Sequence, residues 1–169
     1  MIRKKNLYAR PRKPFEKARI EEENVLRKKY GLKNKTEIWK TLAKLNYFRK
    51  RAMALANASK EEQEVFFGKL NDIDLNVKSI SDVLDLEIEN LLQRRLQTVV
   101  AKKGLANTIK QARQMVVHKK IILGNNVVNS PSYLVKVNEE NNIKIKKKNV
   151  SHKQKEENKE ASEIGVQNG

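Results

Sequence analysis

Cysteine is absent from this 169-residue chain, which excludes disulfides and thiolate metal sites and leaves the redox compartment open. Histidine is scarce: His118 and His152 are too few for an imidazole-based zinc site. No apolar run approaches membrane-spanning length. The basic N-terminus has no apolar central region and so is not a secretory signal, and Pro11, Pro14 and the shortage of serine disfavour a transit peptide. An intracellular protein without a membrane partner is expected. Hydrophobic residues make up 38% and aromatics 5%, too little for a large buried interior, so one ordinary domain or two small ones fit the length. No phosphate-cradling glycine loop occurs, and neither Ser nor His sits in a nucleophile motif, so no catalytic residue, cofactor or small-molecule substrate is expected.

The most informative absence is of negative charge. The 49 positions from Asn90 to Asn138 contain no carboxylate and nine basic residues, Arg94, Arg95, Lys102, Lys103, Lys110, Arg113, Lys119, Lys120 and Lys136. Like charges crowded on a small folded unit repel one another, and phosphates would neutralise them. Over the whole chain 37 Lys+Arg face 20 Asp+Glu, a formal charge of +17. A polyanion is the first partner to expect.

Residues 1 to 20 carry Arg3, Lys4, Lys5, Arg10, Arg12, Lys13, Lys17 and Arg19 against Glu16 alone, with Tyr8 and Phe15 between them. This reads as a basic arm laid along phosphates rather than a merely solvated end. A helical region over 21–86 follows. Its first helix starts near Pro14 and ends at Gly31, and its second is an amphipathic run through Ile38, Leu42, Leu45, Phe48 and Ala52, with Trp39 packed on the first. A third is capped by Ser59, and 71–81 reads as connection. Carboxylates at Asp82, Asp85, Glu87 and Glu89 sit near a new helix start and read as structural.

Residues 87–148 form the next unit. Ile88, Leu92, Leu96 and Val99 make one stripe of a helix that Gly104 ends, with Arg94, Arg95 and Lys102 beside it. Thr108 caps a second helix whose inward Ile109, Ala112, Met115 and Val116 leave Lys110, Arg113 and Gln114 on another side. Both helices are expected to aim cations outward. After Lys120 the residues turn β-branched: a hairpin around Gly124 to Asn126, a short strand at Tyr133 to Val135, and a last strand in which Ile143 and Ile145 alternate with lysines. The fold class is therefore α+β, with two helices on a short, mainly antiparallel sheet. Residues 149–169 are nearly neutral with few apolar groups and read as a disordered tail.

Arg94-Arg95-Leu96-Gln97-Thr98, Lys103-Gly104-Leu105-Ala106, Thr108-Ile109-Lys110-Gln111-Ala112-Arg113-Gln114 and Ser130-Pro131-Ser132-Tyr133-Leu134-Val135 together resemble the S-four family of small-subunit ribosomal proteins, archaeal type. Arg19 to Glu23 and Tyr30 to Lys35 resemble that group's opening helices. The resemblance implies direct binding to small-subunit ribosomal RNA early in assembly, neighbouring ribosomal proteins, a cytoplasmic ribosome, a place near the messenger RNA entry path, and no enzyme activity. It would turn Arg95, Lys103, Thr108, Arg113, His118 and Ser132 toward RNA. From charge alone Arg94, Arg95 and Arg113 stand out, since an arginine fork suits phosphate and the missing carboxylates remove nearby salt-bridge partners. Lys102, Lys110, Gln114, Lys120 and the arm's Arg3, Lys4, Lys5, Arg10, Arg12 and Lys13 complete the expected contact set.

The chain departs from the family at His118-Lys119-Lys120-Ile121, where the usual pattern is His-Gly-His-Ile, and at Leu123-Gly124-Asn125-Asn126, where an Asn-Gly turn is usual. Without that glycine, Lys119 must take a left-handed conformation or shift the helix end. Two other functions compete. An RNA-modifying enzyme carrying the same module would need chemistry in residues 1 to 85 and would turn RNA over; a DNA-compacting protein would bind any duplex equally.

Overall fold

The computed structural model describes residues 7–146; Arg3, Lys4, Lys5 and the 149–169 tail lie outside them. Eight helices and three strands follow in order: α1 (Lys17–Lys29), α2 (Thr36–Ala54), α3 (Lys60–Asn71), α4 (Ile80–Asp85), α5 (Ile88–Gln93), α6 (Leu96–Lys102), α7 (Ile109–Val117), β1 (Ile121–Leu123), β2 (Asn126–Val127), α8 (Val137–Glu140) and β3 (Ile143–Ile145). The sheet is antiparallel in the order β2-β1-β3, so the α+β class holds. None of the described helices is long and apolar enough to cross a membrane.

The chain divides its apolar residues among three clusters. Leu45, Phe48 and Ala52 of α2 meet Phe66 and Leu70 of α3, Val83 of α4 and Leu91 of α5. Tyr30, Leu32 and Ile38 close on Leu92. Leu96, Val99 and Val100 of α6 pack on Ala112 and Val116 of α7, Ile121 of β1 and Ile143 of β3. Adjacent residues Leu91 and Leu92 thus enter two different clusters, both fully buried, which makes the six-residue α5 the point where the N-terminal helices are held. Each such leucine contributes about 1.5–3 kcal/mol by burial. Trp39 reaches α1 as its spacing predicts: its indole Nε1 donates to Glu23 at 2.9 Å, and Glu23 also meets Arg19 and Lys35.

Two expectations fail in instructive ways. The stripe from Ile88 to Val99 predicts one helix, but it breaks at Arg94 and Arg95 into α5 and α6. Arg95 is extended there, and the backbone bonds outward: Leu96 N donates to Tyr133 O at 2.8 Å, and Val135 N to Arg94 O at 3.0 Å. A single bridge between Arg95 and Leu134 therefore replaces a helical turn, and it is all that forms of the strand expected at Tyr133 to Val135. The Thr98 hydroxyl donates to Leu92 O at 2.9 Å, satisfying a carbonyl the break exposes. The other shift is at α1, which begins at Lys17 rather than at Pro14; the Pro14 and Lys13 carbonyls instead accept from the Arg19 guanidinium.

Helices α1, α6 and α7 share one ending. In each, the residue three past the helix donates its N–H back across the last turn: Leu32 to Arg27 O, Leu105 to Val100 O, Lys120 to Met115 O. The position before it is left-handed, at Gly31 (φ 57), Gly104 (φ 71) and Lys119 (φ 57). Lys119 thus keeps the helix end and bears the steric cost. Lys119→Gly should raise the unfolding free energy by about 1 kcal/mol in urea denaturation; an unchanged midpoint would contradict the strain. At Gly31 a second constraint operates, because an added Cβ would lie 3.2 Å from Ile109 Cγ2 and 3.4 Å from Lys110 N. Gly31→Ala should lower stability by about 2 kcal/mol, from left-handed strain plus overlap where α1 meets α7.

The hairpin register is fixed by pairing of Leu123 with Asn126 and Ile122 with Val127, leaving Gly124 and Asn125 as the turn. Tyr133 packs on the third cluster, and its hydroxyl donates to Glu139 at 2.9 Å.

Candidate nucleic-acid interface

The three arginines favoured by charge do not point outward. Arg94 is buried, its guanidinium 3.0 Å from Asp74 and 2.8 Å from Glu140, with a further bond to Val135 O. Arg95 is 3% exposed and meets Glu37 at 2.5 Å. Arg113 is half-buried and forks onto the same carboxylate, Nη2 to Oε1 at 2.8 Å and Nη1 to Oε2 at 3.1 Å, while Nη1 also reaches Gln97 Oε1 at 3.1 Å. Gln97 in turn donates to Tyr30 O at 2.7 Å. The expectation that these arginines lack salt-bridge partners is therefore corrected: the acid-free segment takes its carboxylates from Glu37, Asp74 and Glu140, all outside it. The helix break explains the burial, since an extended Arg95 turns both guanidiniums into the junction between the N-terminal helices and the module.

Burial pushes the Glu37 pKa up, but the Arg113 hydrogen bonds and the Arg95 charge outweigh it and hold the carboxyl below its usual range. Burial lowers Arg95, yet guanidinium stays protonated throughout the physiological range.

Beyond Glu37 the same side chains line an open cleft of about 360 Å³ between α2 and the Pro131 to Leu134 segment. Lys40 and Lys44 of α2 stand on one wall and Ser132 on the other. The charged lining is Lys40, Lys44, Arg95 and Arg113 against Glu37, a local excess of three positive charges. Lys44 holds its Nζ 5.8 Å from the Phe48 ring, and desolvation lowers its pKa, a shift that an anion in the cleft would oppose. Lys40 and Lys44 were not singled out from the sequence. Glu37, Lys40, Thr41 and Lys44 fall at helical spacing on one face of α2, but periodicity shows only a polar stripe, not what faces it.

Apart from Ser132, the remaining expected residues lie outside this lining. On α7, Lys110, Gln114 and His118 are exposed at successive i, i+4 positions, one stripe beside Arg113. Lys119, Lys120 and Lys102 are exposed too. Lys103 is half-buried and bonded to Glu140 O, and the Thr108 hydroxyl caps α7 by accepting from Gln111 N at 3.2 Å. Ser132 is exposed and shares a hydrogen bond with Ser130. Arg10, Arg12 and Lys13 are exposed, and the arm is held near the cleft by Tyr8, whose ring lies 5.6 Å from Lys40 Nζ and 6.3 Å from the Trp39 ring.

Two helices over a three-stranded antiparallel sheet, with cations along one helix and a basic cleft at its base, define a small nucleic-acid-binding type of module; residues 94–141 match the family model described as the S4 domain. Whole-chain likeness goes further. The chain is 46% identical over 143 residues to the small ribosomal subunit protein uS4 of Methanococcus aeolicus, covering 80% of this chain and 81% of that protein. It is 43% identical over 142 residues to the uS4 of Methanothermobacter thermautotrophicus, covering 80% and 83%, and 41% identical over 154 residues to that of Nanoarchaeum equitans, covering 86% and 85%. The chain belongs to the uS4 family of small ribosomal subunit proteins, in its archaeal form.

Proposed function

We propose that this chain is a structural protein of the small ribosomal subunit in the cytoplasm, and that it holds the backbone of small-subunit ribosomal RNA in the cleft and along the outer stripe of α7. The observation that carries this reading is the cleft itself, four cations against one carboxylate, opening beside Lys110, Gln114 and His118. Family membership at 41–46% identity supports the ribosomal setting.

The parts have separate tasks. Lys40, Lys44 and the surface lysines supply point charges that displace condensed counterions from phosphates. Arg113, fixed by Glu37 on one side, offers its remaining positive field to the cleft; Arg95 adds charge from behind. Arg94 works at a distance from the RNA, tying Asp74 of the helical region to Glu140 of the module. Because the cations sit on rigid helices, shape rather than base identity would select the site, as structured RNA is read largely through its backbone and hydroxyls. Arg10, Arg12 and Lys13 extend the grip. Arg3, Lys4 and Lys5 belong to the same reading by charge. Early entry into assembly and a place near the messenger entry path belong to it too, as does the absence of a catalysed reaction; turnover of RNA by the purified protein would contradict the last.

Affinity for small-subunit ribosomal RNA should fall steeply with salt. If about eight phosphates are neutralised, the log–log slope should be about −6 to −7. A flat response, or equal affinity for duplex DNA at physiological salt, would overturn the reading, as would absence of the protein from small subunits isolated at physiological salt.

A further inference from the structure

On a chain of formal charge +17, a second open groove has a lining of net negative charge. It lies between α1, α2 and the start of α5 and encloses about 670 Å³, with Val25, Leu42 and Ile88 among its apolar lining. Val25 is 63% exposed and Leu42 38%, so this apolar surface stands open to water. Glu22, Glu87 and Glu89 belong to the same lining against Arg49 alone, a net of two negative charges. Lys29 and the Tyr30 hydroxyl hold Glu89 at 2.6 and 3.0 Å, whereas Glu22 and Glu87 are exposed and pair with no cation among the described residues.

We propose that this groove seats a basic polypeptide segment carrying apolar side chains, contributed by another protein of the same ribosomal particle. The inference rests on the function proposed above for its setting. Charge decides the occupant. A phosphate backbone brought against unpaired Glu22 and Glu87 would meet like charge and lose counterions it would otherwise share. A segment with lysine or arginine at its edges and aliphatic residues between them satisfies both halves of the surface: the carboxylates gain partners and the open apolar residues leave water.

The test places a photoreactive phenylalanine analogue at Leu42, and separately at Val25, in the full chain, and irradiates small subunits isolated at physiological salt. Mass spectrometry should find adducts to a Lys/Arg-rich segment of another subunit protein. Glu22→Lys combined with Glu87→Lys, both exposed and unpaired, should cut adduct yield at least about tenfold through charge repulsion, with the protein still in the particle. Adducts to RNA alone, to this chain alone, or no protein adduct at either position would overturn the groove assignment while leaving the function intact. Absence of the unlabelled wild-type chain from those subunits would instead overturn the functional reading, and the assignment with it.

Discussion

Replacing Glu37 by alanine should lower the unfolding free energy by about 3–5 kcal/mol, the range for breaking a buried ion pair by removing one partner. The reason is geometric. One carboxylate serves two guanidiniums, Arg95 at 2.5 Å and Arg113 through a two-point fork, and the three side chains are 17%, 4% and 21% exposed. Deleting the carboxylate leaves two arginines facing each other in a partly dry junction, where repulsion and lost hydrogen bonds add to desolvation already incurred. Glu37→Gln keeps the shape and one acceptor and should fall between wild type and alanine.

Acid makes the same point without mutation. The Glu37 carboxyl has its folded-state pKa depressed, so its contribution is fully present above the unfolded value of about 4.3 and disappears as pH falls through the lower folded value. Unfolding free energy should therefore decline below about pH 4, and Glu37→Gln should flatten that part of the profile. Glu23, Asp82 and Glu89, which hydrogen bonds also hold down, remain in both proteins and provide the residual slope. If the two proteins lose stability in parallel from pH 5 to pH 2, Glu37 is not ionised against its arginines in the way the distances indicate.

Much of the fold is legible because the signals are local. Ser59 and Thr108 announce helix starts through side-chain caps, Gly31 and Gly104 announce ends through left-handed turns, and the β-branched run after Lys120 announces the hairpin. The break at Arg94 and Arg95 has no local signal. No glycine or proline marks it, the apolar stripe passes straight across it, and its cause lies about forty residues away, in the backbone of Tyr133 to Val135. That one missed tertiary contact changes the functional map. On a continuous helix, Arg94 and Arg95 would flank the apolar stripe at the surface, free for phosphate; at a break they turn inward and need counterions. An acid-free stretch of sequence is therefore not an acid-free neighbourhood. Lys119 shows the converse: the family difference at that position was visible from the residues, and the structure resolves the two open outcomes in favour of strain.

Lys40→Ala combined with Lys44→Ala should weaken binding to small-subunit ribosomal RNA by roughly 10- to 100-fold at physiological salt and make the log–log salt slope shallower by about 1.5–2. Both lysines are on the outside of α2, neither forms a salt bridge among the described residues, and the apolar face of that helix is made by Ile38, Leu45, Phe48 and Ala52 instead. Folding should consequently survive, and a matching denaturation midpoint would show it. Arg94→Ala supplies the contrast. Its guanidinium joins Asp74 to Glu140 away from the cleft lining, so its loss should cut stability while leaving the salt slope of the folded fraction unchanged. The two variants separate phosphate contact from scaffold. Should the lysine pair leave the slope untouched while Arg94→Ala makes it shallower, RNA would be held by the junction side of the module, and the cleft between α2 and Ser132 would not be the place where the backbone lies.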